Sequence, residues 1–447
     1  MMHKNNRTTR RNLFPIIAVL AAAGATVGIL SVVLNVADTV GGAPTSVSTG
    51  ASTTGASTTG AGKTDIDLRN GSARGSAGAI NSAAQTLNPN GNTLSASMTA
   101  PATLPLSTIL GNHSAPVVSI ATLALSDSAN AEGAEASEWV VTGGYDNAVR
   151  VWSTDSAVGK SKVFAHNSYV NDLALVPPQH KGASLRLFTG SGSGEIKLWD
   201  FESGALTTTI ADNSGRILSV AASADGRYGA SASSDGSLKV WPIDAIAAQK
   251  SQTNLRGRVL KSDGPVVSAL TFHPSDPNVL ISGDAEGAIH FWDVTSSQIV
   301  LTFASSPIAA GNSNSADGES TRVASGITRL AVSPNGRYVA SATANLVRVW
   351  DMQTSRLVQT LSGHSAEVSD LAFSANGQVL ASSSYSETIN TWNWMEATVL
   401  CTLSDTAGPI QSVAFASDGD KLISGNEDGS VRVWDLGKDS NRACVGR

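Results

Sequence analysis

The feature that most constrains this chain is a short pattern repeated seven times, a turn followed by a strand that ends in tryptophan. In the last copy, "SGNEDGSVRVWD" (424–435), Asp428-Gly429 separates two short runs. Asp-Gly favours a tight β-hairpin, because the turn needs residues that tolerate positive φ. The copies end at Trp152, Trp199, Trp241, Trp292, Trp350, Trp392 and Trp434.

Further strands surround each hairpin. An apolar strand and a turn precede it, as in "VSDLAFSANGQVLASS" from Val368, and another strand follows, as in "RLVQTLSGH" (356–364). Four strands in each period of about 40–45 residues are typical of propeller blades. One such sheet cannot bury both faces alone, so the blades must pack around an axis. The repeats predict an all-β, seven-bladed β-propeller of four-stranded blades over residues 104–447.

The last blade lacks an outer strand, because little chain follows Trp434. At the other end, "LSTILGNH" (106–113) reads like the "QTLSGH" segment that ends at His364, and nothing repetitive precedes it. We therefore expect this N-terminal strand to complete the last blade and close the ring, which hides an open sheet edge.

Hydroxyl, acidic and histidine residues recur at fixed distances from the tryptophans. A hydroxyl lies ten residues before six of them, and nine before Trp350: Thr142, Thr189, Ser231, Ser282, Ser341, Ser382 and Ser424. An acid lies six residues before four of them: Asp146, Asp235, Glu286 and Asp428. A histidine ends the linking strand in three copies: His113, His166 and His364.

In these positions the chain resembles the WD-repeat (beta-transducin-like) family, whose blades are often joined by a His–Ser/Thr–Asp–Trp hydrogen-bond network. Such a network would satisfy the polar groups of a buried indole and imidazole. Only the first copy has all four residues: His113, Thr142, Asp146 and Trp152. The resemblance implies a non-enzymatic platform that binds other proteins and needs no cofactor.

The residues before the repeats divide into three segments. Residues 1–11 form a basic tail, and residues 12–37 carry no charge and are long enough to cross a bilayer of about 30 Å. The basic tail predicts a cytoplasmic N-terminus and an extracytoplasmic propeller, in the periplasm or a lumen. An uncleaved transmembrane signal anchor is the first interpretation, and a cleaved signal peptide is the alternative. Residues 38–103, rich in Ser, Thr, Gly and Ala, predict a disordered linker.

Charge and histidine spacing argue against several kinds of site. The N-terminal segment carries four positive charges and the linker sums to zero, so the formal net charge of −6 leaves −10 on the propeller. An acidic ring without a Lys/Arg stripe is a poor binder of nucleic acid. No histidine has metal-ligand spacing, and His290, on a strand, is expected to be exposed. The sequence predicts no catalytic residue, metal site, cofactor or small-molecule substrate.

The two cysteines, Cys401 and Cys444, both lie near the C-terminus. An oxidising compartment would allow them to form one disulfide. Two unpaired thiols are the equal alternative.

Three functions fit a propeller of this kind. The first is a membrane-tethered interaction scaffold. The second is an exported propeller enzyme of the quinoprotein-like dehydrogenase or lactonase type, which would need convergent carboxylates and a metal or cofactor at the axis. The third is a passive envelope or lumenal assembly factor, which differs from the first only in its partner.

A protein partner is expected on the face that carries the histidine and aspartate turns. The connection between the fourth and fifth blades, Ala304 to Ser325, is unusually long there. Long loops on a rigid scaffold are often functional, although an inert insertion is the alternative. The candidate partner-binding residues are Tyr145 and Tyr385 before turns, Glu427 in the matching slot, and Asp172, Arg329 and Asp370, whose side chains should approach the axial mouth. Tyr and Arg often carry interface energy.

Overall fold

The computed structural model describes residues 107–125, 137–154, 162–180, 182–248, 256–260, 265–304, 326–404 and 408–437. These residues form 28 β-strands and one short helix. The segments assigned as 1–11, 12–37 and 38–103, most of the long connection after Ala304, and Cys444 lie outside the described residues.

The strands form seven antiparallel four-stranded sheets, or blades, and within the first six the strand order follows the chain. The first four blades contain, in turn, β2 (Val117–Leu125), β3 (Ser137–Gly144), β4 (Ala148–Ser153) and β5 (Lys162–Ala165); β6 (Val170–Val176), β7 (Arg186–Ser191), β8 (Ile196–Asp200) and β9 (Leu206–Ile210); β10 (Ile217–Ala222), β11 (Tyr228–Ser233), β12 (Leu238–Pro242) and β13 (Arg258–Leu260); and β14 (Val267–Phe272), β15 (Val279–Asp284), β16 (Ala288–Asp293) and β17 (Gln298–Ala304). The last three contain β18 (Ile327–Val332), β19 (Tyr338–Thr343), β20 (Leu346–Asp351) and β21 (Arg356–Ser362); β22 (Val368–Phe373), β23 (Val379–Ser384), β24 (Thr388–Asn393) and β25 (Thr398–Ser404); and β26 (Ile410–Phe415), β27 (Lys421–Asn426) and β28 (Ser430–Asp435), completed by β1 (Ser107–Asn112).

The N-terminal strand closes the ring. Strand β1 pairs antiparallel with β28, with Ser107 opposite Trp434, and it is the outer strand of the seventh blade. This pairing confirms the predicted closure and the seven-bladed β-propeller of four-stranded blades.

The core lies between neighbouring blades, where each repeat tryptophan packs. Trp292 of the fourth blade, 1% exposed, packs with Leu238 and Leu260 of the third. The second strand of each blade is covered on both faces of the sheet, and β23 is buried at every position. Burial of a tryptophan between blades explains why one large aromatic residue recurs in each repeat, because removing it would cost about 3–5 kcal/mol.

One helix interrupts the β-structure. Helix α1 (Ile243–Ala248) follows β12, and its Ile243 and Ile246 pack against Trp241 and Phe188. The repeat pattern gave no sign of this helix. Across the described residues, no helix has the length and apolar character needed to span a membrane.

Every inner strand has a β-bulge near its start. The register shifts lie between Val117 and Ser119, Val170 and Asp172, Ile217 and Ser219, Val267 and Ala269, Ile327 and Arg329, Val368 and Asp370, and Ile410 and Ser412. A bulge increases the local twist and changes the direction of nearby side chains. The bulges therefore decide which side chains of the inner strands face the central channel and which face a neighbouring blade.

Candidate functional site

A four-residue network joins the seventh blade to the first. His113, which follows β1, has Nε2 2.7 Å from Thr142 Oγ1 and Nδ1 2.8 Å from Asp146 Oδ1. Trp152 Nε1 donates to the same threonine oxygen at 2.9 Å. Burial lowers the pKa of His113, although the hydrogen bond and charge of Asp146 act to raise it. The structure thus brings together all four residues of the first repeat.

The second blade has a shorter version of this network. His166 Nε2 lies 2.9 Å from Thr189 Oγ1, and Trp199 Nε1 donates to that oxygen at 3.1 Å. No acid stands beside this histidine, and its buried Nδ1 has no hydrogen-bond partner among the described residues. Burial, with a smaller effect from the Lys197 charge, lowers the pKa of His166 to about 3. The ring is therefore neutral at physiological pH.

The sixth blade repeats the arrangement. His364 Nε2 lies 2.7 Å from Ser382 Oγ, which accepts a hydrogen bond from Trp392 Nε1 at 2.8 Å. The hydroxyl of Thr388 is 3.3 Å from the second ring nitrogen, on the side where the first blade has an acid. Burial lowers the pKa of His364 to about 4. This ring is also a neutral link between blades.

The fourth blade differs from the sequence expectation. Trp292 donates to Ser282 at 2.8 Å, but Glu286 is exposed and takes no part in the network. The acid is Asp284, whose Oδ2 lies 3.0 Å from His290 Nε2. His290 is partly buried, with its side chain 20% exposed, and is not the exposed strand residue that was expected. Both residues lie in the same blade, so this pair does not link two blades.

The third blade also departs from the expected network. The buried Trp241 Nε1 and Ser231 Oγ have no hydrogen-bond partner among the described residues, so the expected pair is not joined. Asp235 instead accepts hydrogen bonds from the backbone N–H and hydroxyl of Ser214, at 2.8 and 2.9 Å. The carboxylate therefore fixes the preceding loop.

The fifth and seventh blades keep only the indole bond. Trp350 donates to Ser341 at 3.1 Å, and Trp434 donates to Ser424 at 2.9 Å. Asp428 caps its own turn by accepting from the backbone N–H two residues later, at 2.8 Å. In these blades the expected acid is either absent from the sequence or used within the turn.

A cavity of about 430 Å³ opens at the mouth of the ring on the face that carries the histidine turns. Its lining residues are Val118, Tyr145, Tyr169, Asn171, Arg216, Leu218, Arg329, Tyr385 and Gln411, and we call this cavity the tyrosine mouth. Tyr145 and Tyr385 are 47% and 44% exposed. Three of the six candidate partner-binding residues, Tyr145, Arg329 and Tyr385, therefore converge on one cavity.

Sequence reasoning missed Tyr169 and Arg216. Tyr169 meets Tyr145 edge to face, with ring centroids 5.2 Å apart, and lies over Gly192, where a Cβ would be only 2.1 Å from its ring. Each of the two missed residues immediately precedes an inner strand, β6 or β10. That position was a signal available in the sequence, because it brings each residue to the mouth.

Asp172 does not line the tyrosine mouth as expected. Its Oδ1 accepts from the hydroxyl of Ser119, and its Oδ2 accepts from the hydroxyl of Ser219 and the N–H of Val220, at 2.9, 2.9 and 2.8 Å. The carboxylate therefore bridges the first three blades across the channel wall.

Asp370, like Asp172, bonds to a neighbouring blade. Its Oδ2 accepts from the N–H of Val413 at 3.0 Å, and its Oδ1 lies 3.7 Å from Arg329 Nε. Burial raises the pKa of Asp370 to about 6, against the opposing effect of Arg329. Glu427 is exposed at the rim and accepts a hydrogen bond from Gln411. Asp172, Asp370 and Glu427 are therefore near the mouth but not among its lining residues.

The opposite mouth of the ring is mostly apolar. It holds a cavity of about 350 Å³ whose lining includes Pro274, Pro334, Phe373 and Phe415. In the part of the chain that the structure describes, no group of three or more His, Cys, Asp and Glu side chains is placed to hold a metal ion. Cys401 is buried on β25, and Cys444, its candidate disulfide partner, lies outside the described ranges.

The fold and its blade-to-blade bonds define a propeller built from sequence repeats. The WD40 family model (WD domain, G-beta repeat) matches seven segments that cover more than half of the chain: 105–153, 159–200, 204–242, 250–293, 319–351, 355–393 and 397–435. The chain therefore belongs to the WD40 family.

Individual relatives are distant. The chain is 29% identical to the Protein LST8 homolog of Drosophila pseudoobscura pseudoobscura, over 35% of this chain and 49% of that protein. It is 28% identical to WD repeat-containing protein VIP3 of Arabidopsis thaliana, over 48% and 63%. It is 26% identical to Small ribosomal subunit protein RACK1y of Oryza sativa subsp. japonica, over 35% and 45%. The chain spans less than two thirds of the length of each of these curated relatives.

Proposed function

We propose that this protein is a membrane-tethered, non-enzymatic scaffold that binds another protein at the tyrosine mouth. The observation that carries this proposal is the convergence of Tyr145, Arg329 and Tyr385 on one cavity. Tyr and Arg are the residue types that most often carry binding energy at interfaces, and a few such residues usually dominate.

The scaffold holds these side chains in fixed positions. Tyr145 and Tyr385 stand on turns between the second and third strands of their blades, and the backbone N–H of each bonds to the loop that enters its blade, at 2.9 and 3.1 Å. A preorganised surface loses less conformational entropy on binding. The rigid ring therefore suits recognition of a partner.

Two further observations support a scaffold over an enzyme. The carboxylates of the inner strands, Asp172 and Asp370, are engaged in bonds between blades, so their oxygens serve the structure of the ring. One relative, RACK1y, is by its name a protein of the small ribosomal subunit, which is a role within an assembly. Metal and cofactor analysis of the purified protein tests the non-enzymatic part of the proposal.

The tether and the location are part of the proposal. The basic residues Lys4, Arg7, Arg10 and Arg11 before an uncharged stretch support a signal anchor with the propeller outside the cytoplasm. The Ser/Thr/Gly/Ala-rich stretch that follows supports a flexible linker between anchor and ring.

The test of docking is a triple substitution, Tyr145→Ala, Arg329→Ala and Tyr385→Ala, followed by mild crosslinking in cells and identification of the recovered proteins. We expect the partners recovered with wild type to be lost, while the thermal unfolding curve stays that of a folded propeller. The matched control is Tyr228→Ala, on the opposite side of the ring, which should keep the partners. Recovery of the same partners by a folded triple variant would contradict the proposal.

A further inference from the structure

We infer that the tyrosine mouth accepts an anionic side chain of the bound partner, a carboxylate or a phosphate. The inference rests on the proposed function and adds the chemical class of the group that is recognised.

The lining of the tyrosine mouth has positive charge only. Of its nine described lining residues, the two that carry a formal charge are Arg216 and Arg329, and none is Asp or Glu. The acidic side chains beneath it, Asp172 and Asp370, direct their oxygens to hydroxyls and backbone amides of neighbouring blades. The charged groups that line the cavity itself are therefore both guanidinium ions.

Arg216 is the more available of the two arginines. It is exposed, and within the described ranges its guanidinium makes no hydrogen bond or ion pair. A guanidinium presents five N–H donors in a planar fork that matches a carboxylate or phosphate. Arg216 is thus free to bind an anion without breaking an existing bond.

Arg329 is held in place by one backbone hydrogen bond and one long ion pair. Its Nη1 donates to the carbonyl of Thr328 at 2.9 Å, and its Nε lies 3.7 Å from Asp370 Oδ1. That separation is longer than the roughly 2.7–2.9 Å of a charge-assisted hydrogen bond. Donors of Arg329 remain for a ligand, and Asp370 positions the side chain.

The three tyrosines add neutral donors to the same cavity. Tyr145, Tyr169 and Tyr385 each carry a phenolic O–H that can donate to an anionic oxygen. The edge-to-face contact between Tyr145 and Tyr169 fixes two of the rings. Two guanidinium ions and three phenols form a donor-rich wall.

The surrounding charges limit how many negative charges the ligand can carry. Glu367 and Glu427 are exposed at the rim, and both interact electrostatically with Tyr385. The propeller also carries a formal net charge of −10, because the charged residues before it contribute +4 to the total of −6. Repulsion by these charges disfavours a long acidic run. A single anionic side chain with neutral neighbours fits the site.

Fluorine NMR of the full-length chain, labelled with fluorotyrosine, tests this inference. The chain has five tyrosines, so Tyr145, Tyr169 and Tyr385 report on the cavity while Tyr228 and Tyr338 serve as internal controls. The probes are glutamate capped as N-acetyl and N-methylamide, the capped glutamine, and capped phosphoserine. We expect saturable shifts of the three cavity resonances with glutamate, phosphoserine or both, and none with glutamine. The two anionic probes distinguish a carboxylate from a phosphate.

Two variants assign the shifts to the arginines. Arg216→Gln should weaken binding of the anionic probe about tenfold, a loss typical of one charged contact. Arg329→Gln should do the same if it folds. Arg356→Gln, an exposed arginine on outer strand β21, should have no effect. Equal shifts with glutamate and glutamine, no saturable shift with either anionic probe, or unchanged binding in Arg216→Gln would overturn the inference. If partner recovery still depended on Tyr145, Arg329 and Tyr385, the proposed function would stand without it.

Discussion

The Nδ1 atom of His113 lies 2.8 Å from Oδ1 of Asp146, across the junction where the two ends of the propeller meet. His113 follows the N-terminal strand, whereas Asp146 lies in the first complete blade. A polar contact therefore supports the closure that β1 makes with β28 through backbone hydrogen bonds.

Replacing Trp152 by phenylalanine should cost more than the same change at Trp241. Both changes shrink a buried ring, but Trp152 also donates to Thr142, whereas the Nε1 of Trp241 has no partner among the described residues. Losing the bond costs about 0.5–1.5 kcal/mol, whereas removing an unpaired buried N–H relieves a desolvation penalty. Urea unfolding of both variants measures the difference. Equal losses, or a larger loss at Trp241, would contradict the assignment of the network.

Gly111→Ala should weaken the closure of the ring. A Cβ at this position would lie 2.1 Å from Cζ3 of Trp152, so the ring or the strand must move. Overpacking of this kind typically costs about 1–3 kcal/mol. Gly363→Ala is the matched control, because its Cβ would lie 3.0 Å from the Trp392 ring. The free energies of unfolding should show a clearly smaller loss for the control, and the reverse order would refute this packing argument.

The buried histidines should make the propeller less stable in acid. The pKa of His364 falls from its usual 6.5 to about 4 because the ring is buried. Below pH 6.5 the unfolded chain binds a proton that the folded chain does not. The neutral, buried His364 ring therefore contributes fully to the free energy of unfolding above pH 6.5. This contribution, on the order of 3 kcal/mol, is lost as the pH falls toward 4.

His364→Gln tests this sign. The variant should be less stable than wild type at neutral pH, because Ser382 loses its hydrogen bond to the imidazole, but its stability should fall less between pH 6.5 and 4. Chemical unfolding at several pH values measures both effects. A variant with the same pH slope as wild type would show that His364 is not a source of the acid sensitivity.

Protease accessibility should reveal the proposed orientation in the membrane. In sealed vesicles with the cytoplasmic side inside, added protease should cut in residues 38–103 and release the propeller, because the linker would lie outside. Inverted vesicles are the control and should protect the chain. Protection in the first preparation, or a soluble protein that lacks its first residues, would exclude the signal anchor.

The repeat pattern predicted the ring and its closure, because turns, strand periods and tryptophans recur in phase. Side-chain direction within the inner strands was less predictable. Asp172 and Asp370 immediately follow positions where a bulge shifts the register, so their spacing does not say whether they face the mouth or a neighbouring blade. The bulges direct both carboxylates to bonds between blades.

The acid of the fourth blade was missed for a different reason. Asp284 lies eight residues before Trp292, two residues away from the expected slot that Glu286 occupies. Its partner His290 lies on the third strand of the blade and not at the end of a linking strand. Spacing from the tryptophan predicts only a sequence position for the acid. Whether an acid forms the hydrogen bond depends on which side chain reaches an imidazole.

Site-specific photocrosslinking tests the central claim most directly. Benzoylphenylalanine in place of Tyr385, at the tyrosine mouth, should crosslink the partner in intact cells, because this ring is 44% exposed beside the cavity. The same group in place of Val259, which is 54% exposed on outer strand β13, provides the control and should not. A partner captured from Tyr385 and absent from Val259 is the predicted result. Capture from Val259 alone, or the same partner captured equally from both positions, would contradict docking at the tyrosine mouth.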